Sequence, residues 1–233
     1  MKQFCPVRFI LESDLNSYLG IAFLFAFLIT LKPVESIGQM TSSIVALQKT
    51  QPHNRITGSI EIDYNLVQND DDFLMPTIVL EVSGWHFEGR HNYEERNSSS
   101  LWIGYNLETG KDLHLKVTPL AGLVIGSVAG AAPGLEFELK YGILSLIAQS
   151  EYFFNAENNE DSYFYSWNEI EIAPLDWLYA GIVVERTKAF ETDTDVQTGL
   201  FGGIAYSNFY FTTYFFDPDK HDRNVLFALG CEF

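Results

Sequence analysis

Carboxylates spaced two apart are the residues of this chain best placed to do chemistry. Glu61 and Asp63, Glu136 and Glu138, and Glu169 and Glu171 each form such a pair. On a β-strand that spacing puts both acids on one face, where they can gather cations, accept from sugar hydroxyls or pair with bases. Glu81, Glu88, Glu94, Glu151, Glu185 and Glu232 share the same parity within their own segments, opposed by Arg55, Arg90, Lys116 and Lys140. Tyr163, Tyr165 and Trp167 alternate just ahead of Glu169 and Glu171. Such a ladder could stack a sugar or nucleoside ring, although packing with hydrogen-bonded phenols is the plainer reading. The histidines (His53, His86, His91, His114 and His221) include no pair at zinc spacing on a helix, and there is no cysteine-pair motif. His91 and Ser99 lie on adjacent expected strands with outward parity, the minimum for a lipid-facing hydrolase. No histidine-x-serine pair occurs on a strand, so an interfacial polar belt is the better account. The sequence therefore predicts no enzyme, no metal and no cofactor.

Composition narrows the possibilities further. The 233 residues carry 31 acids against 14 bases, a formal charge of −17, which argues against a nucleic-acid surface. Aromatic residues make up 15% of the chain and apolar residues 47%, which excludes disorder. The two cysteines, Cys5 and Cys231, cannot build a disulfide framework.

One apolar run stands apart, Leu19 to Leu31. It is too short to cross a bilayer as a helix but suits the core of a secretory signal, with Lys2 and Arg8 ahead of it. Cleavage is expected after Ser36, although Glu12 and Asp14 make the leading region less cleanly positive than usual. This divides the chain into a signal peptide (1–36), a periplasmic lead (37–54) and a β domain (55–233).

From Arg55 onward the pattern has period two. Residues 55–66 place Ile56, Ile60, Ile62, Tyr64 and Leu66 on one face and polar side chains on the other. Twelve strands are expected, at 55–66, 74–83, 85–95, 98–107, 112–125, 134–141, 143–154, 162–173, 177–188, 195–206, 208–216 and 223–233. Tight connections such as Ser83-Gly84, Tyr141-Gly142 and Ser207-Asn208 alternate with longer acidic ones, Arg96-Asn97 being an exception. Short turns at one rim and long loops at the other suit a transmembrane β-barrel in a Gram-negative outer membrane. A soluble sandwich would explain neither the leader nor strands of about ten residues.

The chain ends at Phe233 on an alternating strand. That ending resembles the terminal signature by which Gram-negative outer-membrane barrels are recognised by their assembly machinery. The segments LWIGYNLETGKDLHLKVTPLAGLVIG (101–126) and YSWNEIEIAPLDWLYAGIVVERTKAF (165–190) resemble uncharacterised outer-membrane barrel proteins of the Bacteroidetes type. The resemblance covers most of 55–233 and implies fold and compartment rather than an activity.

The function expected from these features is a narrow, passive, cation-preferring channel for small solutes. Its path would be lined by Glu61, Glu88, Arg90, Lys116, Glu136 and Glu138, with Glu151, Tyr165, Trp167, Glu169, Glu171 and Glu185. An occluded structural or adhesive barrel acting through surface loops is the alternative, and an outer-membrane lipid hydrolase a more distant one. The expected partners are outer-membrane lipids and lipopolysaccharide, the barrel-assembly machinery and small solutes. Acidic loops at Asp70 to Asp72 and Asp217 to Asp222 could hold divalent cations that bridge lipopolysaccharide phosphates, although solvated loops that keep the rim soluble are the plainer reading.

Overall fold

The computed structural model describes residues 56–67, 71–189, 194–218 and 224–233. The signal-peptide and periplasmic-lead expectations, Arg55, and parts of three loops, Asp70 among them, lie outside the described residues. Within them every strand is antiparallel to its neighbours, in one sheet that closes on itself.

In chain order the strands are β1 (Ile56–Val67), β2 (Phe73–Val82), β3 (Trp85–His91), β4 (Ser98–Tyr105), β5 (Leu107–Thr109), β6 (Leu113–Gly126) and β7 (Gly130–Tyr141). There follow β8 (Leu144–Asn155), β9 (Tyr163–Leu175), β10 (Leu178–Ala189), β11 (Asp195–Tyr206), β12 (Phe209–Phe216) and β13 (Asn224–Glu232). Both β4 and β5 pair with β6, on either side of a break at Asn106, and so form a single stave. The result is a closed barrel of twelve staves, as the periodicity predicts. Closure matters because backbone amides in hydrocarbon have no water to bond, so a lipid-embedded sheet cannot keep a free edge. The last seam joins β13 to β1, where Gly58 N donates to Phe233 O and Phe233 N donates to Gly58 O, both at 2.9 Å.

Local chemistry fixes the register. Ser83 and Gly84 both have positive φ (53° and 87°), the geometry of a two-residue hairpin turn whose twist matches the flanking strands. The lumen contributes its own constraint. Trp102 lies flat over Gly122 on the neighbouring β6, where a Cβ would come within 2.5 Å of the indole.

Most strand limits fall within two residues of the expected ones, and two differ by four. β7 begins at Gly130 rather than 134, because the Gly-Ala-Ala-Pro run pairs with β6 throughout, and its first two residues with β8, despite its turn-like composition. β3 stops at His91 rather than 95, so the connection to β4 is a six-residue loop and not the short Arg96-Asn97 turn. Asn92 and Asn97 take positive φ at its two ends, and Asn97 N donates to Asn92 Oδ1 at 2.7 Å. This loop turns inward, with consequences for the mouth of the barrel.

Candidate functional site in the barrel lumen

Alternation sorts the side chains as expected. The outer wall shows Ile60, Ile62, Ile78, Leu101, Leu123, Leu200, Phe211 and Leu229, all exposed and apolar. Trp85, Tyr105, Tyr141, Trp177 and Tyr206 gather at the rim of tight turns, as an interfacial girdle requires. Cys231 is half-buried on the outward parity of β13.

The sequence-predicted lining residues all belong to the inward parity, but they do not surround a wide hole. Glu61, Glu88, Arg90, Lys116, Glu136, Glu138, Glu151, Glu169 and Glu171 are buried, while Tyr165, Trp167 and Glu185 are half-buried. The lumen divides into two halves of different chemistry.

On one side, β2 to β8 build a paired charge network around Arg90. Its Nε and Nη2 donate to Glu88 (2.8 and 3.0 Å), and its Nη1 donates to Glu151 on β8 (2.9 Å). The Gln149 amide oxygen, in the orientation that satisfies both groups, accepts from the same guanidinium at 2.7 and 3.0 Å. Tyr93 and Trp102 flank it, with ring centroids 4.4 and 4.6 Å from Cζ. A planar guanidinium suits this position because it can meet carboxylates in two directions while its faces stack on rings. Below it, Lys116 donates to Glu81 (3.1 Å), and Lys140 lies 3.3 Å from Glu138. Asn106, at the break between β4 and β5, also donates to Glu81, and Thr118 donates to Asn106 Oδ1 (2.7 Å).

On the other side, β9 to β13 supply an aromatic and aliphatic slab of Tyr179, Val183, Phe201, Tyr214, Phe216 and Leu226, with Trp167 against it. Tyr179 and Thr212 share a hydroxyl hydrogen bond of 2.5 Å. Between the halves stand the acids of β1 and β9, two strands that contain no lysine or arginine. Glu169 Oε1 accepts from Trp167 Nε1 (2.7 Å) and from the Tyr214 hydroxyl (3.0 Å). Glu171 is 1% exposed, and neither of its carboxylate oxygens takes a hydrogen bond from a described residue. Tyr163, Tyr165 and Trp167 do face inward, yet their rings pack on Phe153, Tyr93, Tyr214 and Phe216. They are part of the filling.

The loop between β3 and β4 turns into the loop-side mouth and reaches β9. Glu94 and Glu95 are buried. Glu94 Oε1 accepts from Ser100 Oγ (2.5 Å) and Trp102 Nε1 (3.2 Å), and the Tyr163 hydroxyl on β9 reaches the Glu94 carbonyl at 2.8 Å. Glu94 is thus inward as expected, but from a loop and not a strand. The signal that could have found the loop is the pair Asn92 and Asn97, since asparagine tolerates left-handed backbone better than other side chains with a Cβ.

His91 and Ser99 are cross-strand partners on the outer wall, with His91 Nδ1 2.9 Å from Ser99 Oγ. Among the described residues no side chain hydrogen-bonds the other ring nitrogen.

No family model matches the chain, and no curated protein does. Solved structures are more informative. A KdgM porin superposes with a TM-score of 0.56 over 75% of this chain and 98% of that one, at 14% identity. The fold is that of an outer-membrane barrel. A second structure of that porin, in complex with disordered oligogalacturonate, gives the same figures. The outer membrane protein Omp33 of Acinetobacter baumannii covers 78% of this chain and 99% of its own, at 10% identity and a TM-score of 0.44. Taken with the apolar outer wall and the aromatic girdle, the fold places the protein in the outer membrane, spanning it.

A direct consequence can be measured on the wall. Leu135 lies midway along β7 on the lipid face. Leu135→Arg is expected to cost about 2–4 kcal/mol, the depth-dependent cost of a cation at the bilayer midplane. Guanidinium unfolding in lipid vesicles would show it, and a loss below 1 kcal/mol, the ceiling for interfacial positions, would contradict the placement.

Proposed function

We propose that this protein is a narrow, porin-like channel that prefers cations. The observation that carries the reading is the inward face of β1 and β9, on which every charged residue is an acid. A buried carboxylate with no hydrogen bond from a described residue, as at Glu171, needs water, a cation or a proton to compensate it. Water and cations arriving from either mouth would do so, and low-dielectric walls around the acids favour cations over anions. The path runs between the charge network and the aromatic slab, past Glu61, Asp63, Glu169 and Glu171. Glu185 lies nearer the loop side. The packing of the lumen restricts passage to small solutes and partly dehydrated ions.

The lumen charge also separates this protein from its structural neighbour. Oligogalacturonate, named with the KdgM porin, is a polyanion. An acid-rich lumen repels such a ligand, so a shared fold here goes with a different solute class.

Proteoliposomes test the reading. Vesicles carrying the barrel should admit a potassium tracer well ahead of chloride, and combined Glu169→Gln and Glu171→Gln should bring the two rates together. Equal rates in the unmodified protein would refute the preference. A folded barrel that admits neither ion favours the occluded alternative, in which the burial of the lumen is itself the function and the loops do the binding. In either case the outer wall meets lipid and lipopolysaccharide, and the strand ending at Phe233 is proposed as the contact with assembly machinery.

A further inference from the structure

One corner of the charge network has the makings of a metal site. His86 and Glu88 are two apart on β3 and therefore share the inward face, while Glu136 approaches from β7, a quarter of the way around the barrel. One ligand atom from each lies within 4.8 Å of the other two, and all three residues are buried. The orientation of the imidazole is informative. Nδ1 sits 2.9 Å from Glu81 Oε1, which leaves Nε2 turned toward Glu88 Oε2 at 3.4 Å, longer than an ordinary N–H···O bond. A carboxylate on one ring nitrogen that presents the other to a ligand cluster is the usual arrangement of a metal-binding histidine.

Glu136 supplies the second observation. It is 7% exposed, yet it receives no hydrogen bond from a described residue. Glu88 also accepts from Arg90, but each carboxylate oxygen has a further lone pair to offer. Charge leaves room for an ion. Among the described residues around the cluster, Glu81, Glu88, Glu94, Glu136, Glu138 and Glu151 stand against Arg90, Lys116 and Lys140. Six acids against three permanent cations leave three negative charges when His86 is neutral, which a divalent ion offsets in large part.

We propose that His86, Glu88 and Glu136 bind a divalent transition-metal ion of the zinc class inside the barrel, linking β3 to β7. A nitrogen and two carboxylate oxygens suit zinc, cobalt or manganese better than the all-oxygen shells of calcium and magnesium. Three protein ligands leave the fourth position to water. The sequence spacing of the histidines cannot reveal such a site, because its third ligand lies on a strand paired with neither side of β3. Conduction is not required for it, so the two proposals stand or fall separately.

Cobalt titration of the purified, EDTA-treated full chain in detergent tests the site. The expected result is one Co²⁺ per barrel, with the visible d–d bands of low-coordinate cobalt, displaced by Zn²⁺. Glu136→Gln and His86→Ala should each abolish the bands. Glu81→Gln should weaken binding on the order of 10–100-fold, as loss of a ligand-orienting group does. Heat-modifiable gel mobility reports which variants fold. If His86→Ala does not fold, Glu136→Gln decides alone, since it removes no hydrogen bond to a described residue. Absence of cobalt bands in the unmodified protein, or bands unchanged in folded Glu136→Gln, would overturn the proposal and leave His86 as a bridge between Glu81 and Glu88.

Discussion

Replacing Arg90 with methionine is expected to lower the unfolding free energy by about 3–5 kcal/mol, the range for breaking a buried charge pair. The guanidinium is 3% exposed and holds Glu88 and Glu151 together across the lumen. Its removal leaves two buried carboxylates facing each other, with Glu94 also nearby (3.8 Å from Nη1). Methionine keeps most of the volume, so the loss reads the charge and not a cavity. Arg90→Lys should recover little, because an ammonium cannot match the two-pronged contact to Glu88. Adding Glu88→Gln and Glu151→Gln to Arg90→Met should recover much of the loss, since a neutral set avoids the desolvation cost. Guanidinium unfolding in vesicles gives all three values. A loss below 1 kcal/mol for Arg90→Met, as for an exposed pair, would mean the network is hydrated and loose.

The second large effect concerns the mouth. Tyr93→Gly, Glu94→Ser and Glu95→Gly together should raise single-channel conductance several-fold. These substitutions remove the Tyr93 ring against Arg90 and Tyr165, and the Glu94 contacts to Ser100 and Trp102. Asn92 and Asn97, which shape the ends of the loop, are retained, so the pairing of β3 with β4 should persist. Planar-bilayer recording measures the change. Unchanged conductance would place the narrowest point elsewhere, with the aromatic slab of Tyr179, Phe201 and Tyr214 next in line.

Period-two alternation made the barrel legible, because lipid and lumen impose opposite demands on neighbouring residues. In β1, Ile60, Ile62 and Tyr64 point to lipid while Glu61 and Asp63 point inward, and a one-residue error would reverse them all. Which side chains face inward followed from the same parity. Their mutual arrangement did not. Arg90 and Glu151 are 61 residues apart, and their contact depends on the curvature of the closed sheet, which parity leaves undefined. Parity also cannot tell a half-filled lumen from an open one. That distinction depends on side-chain volume, on aromatic rings lying over glycines such as Trp102 over Gly122, and on a loop that turns inward. The loop was hidden because Tyr93, Glu94 and Glu95 continue a strand-like composition past the true end of β3 at His91.

The proposed cation path runs along the acids of β1 and β9. Single-channel recording across a planar bilayer under a salt gradient tests it most directly. Small discrete steps are expected, with a reversal potential on the cation-selective side that moves toward zero in the combined Glu169→Gln and Glu171→Gln protein. A reversal potential on the anion-selective side, or a correctly folded barrel with no steps at all, would contradict it.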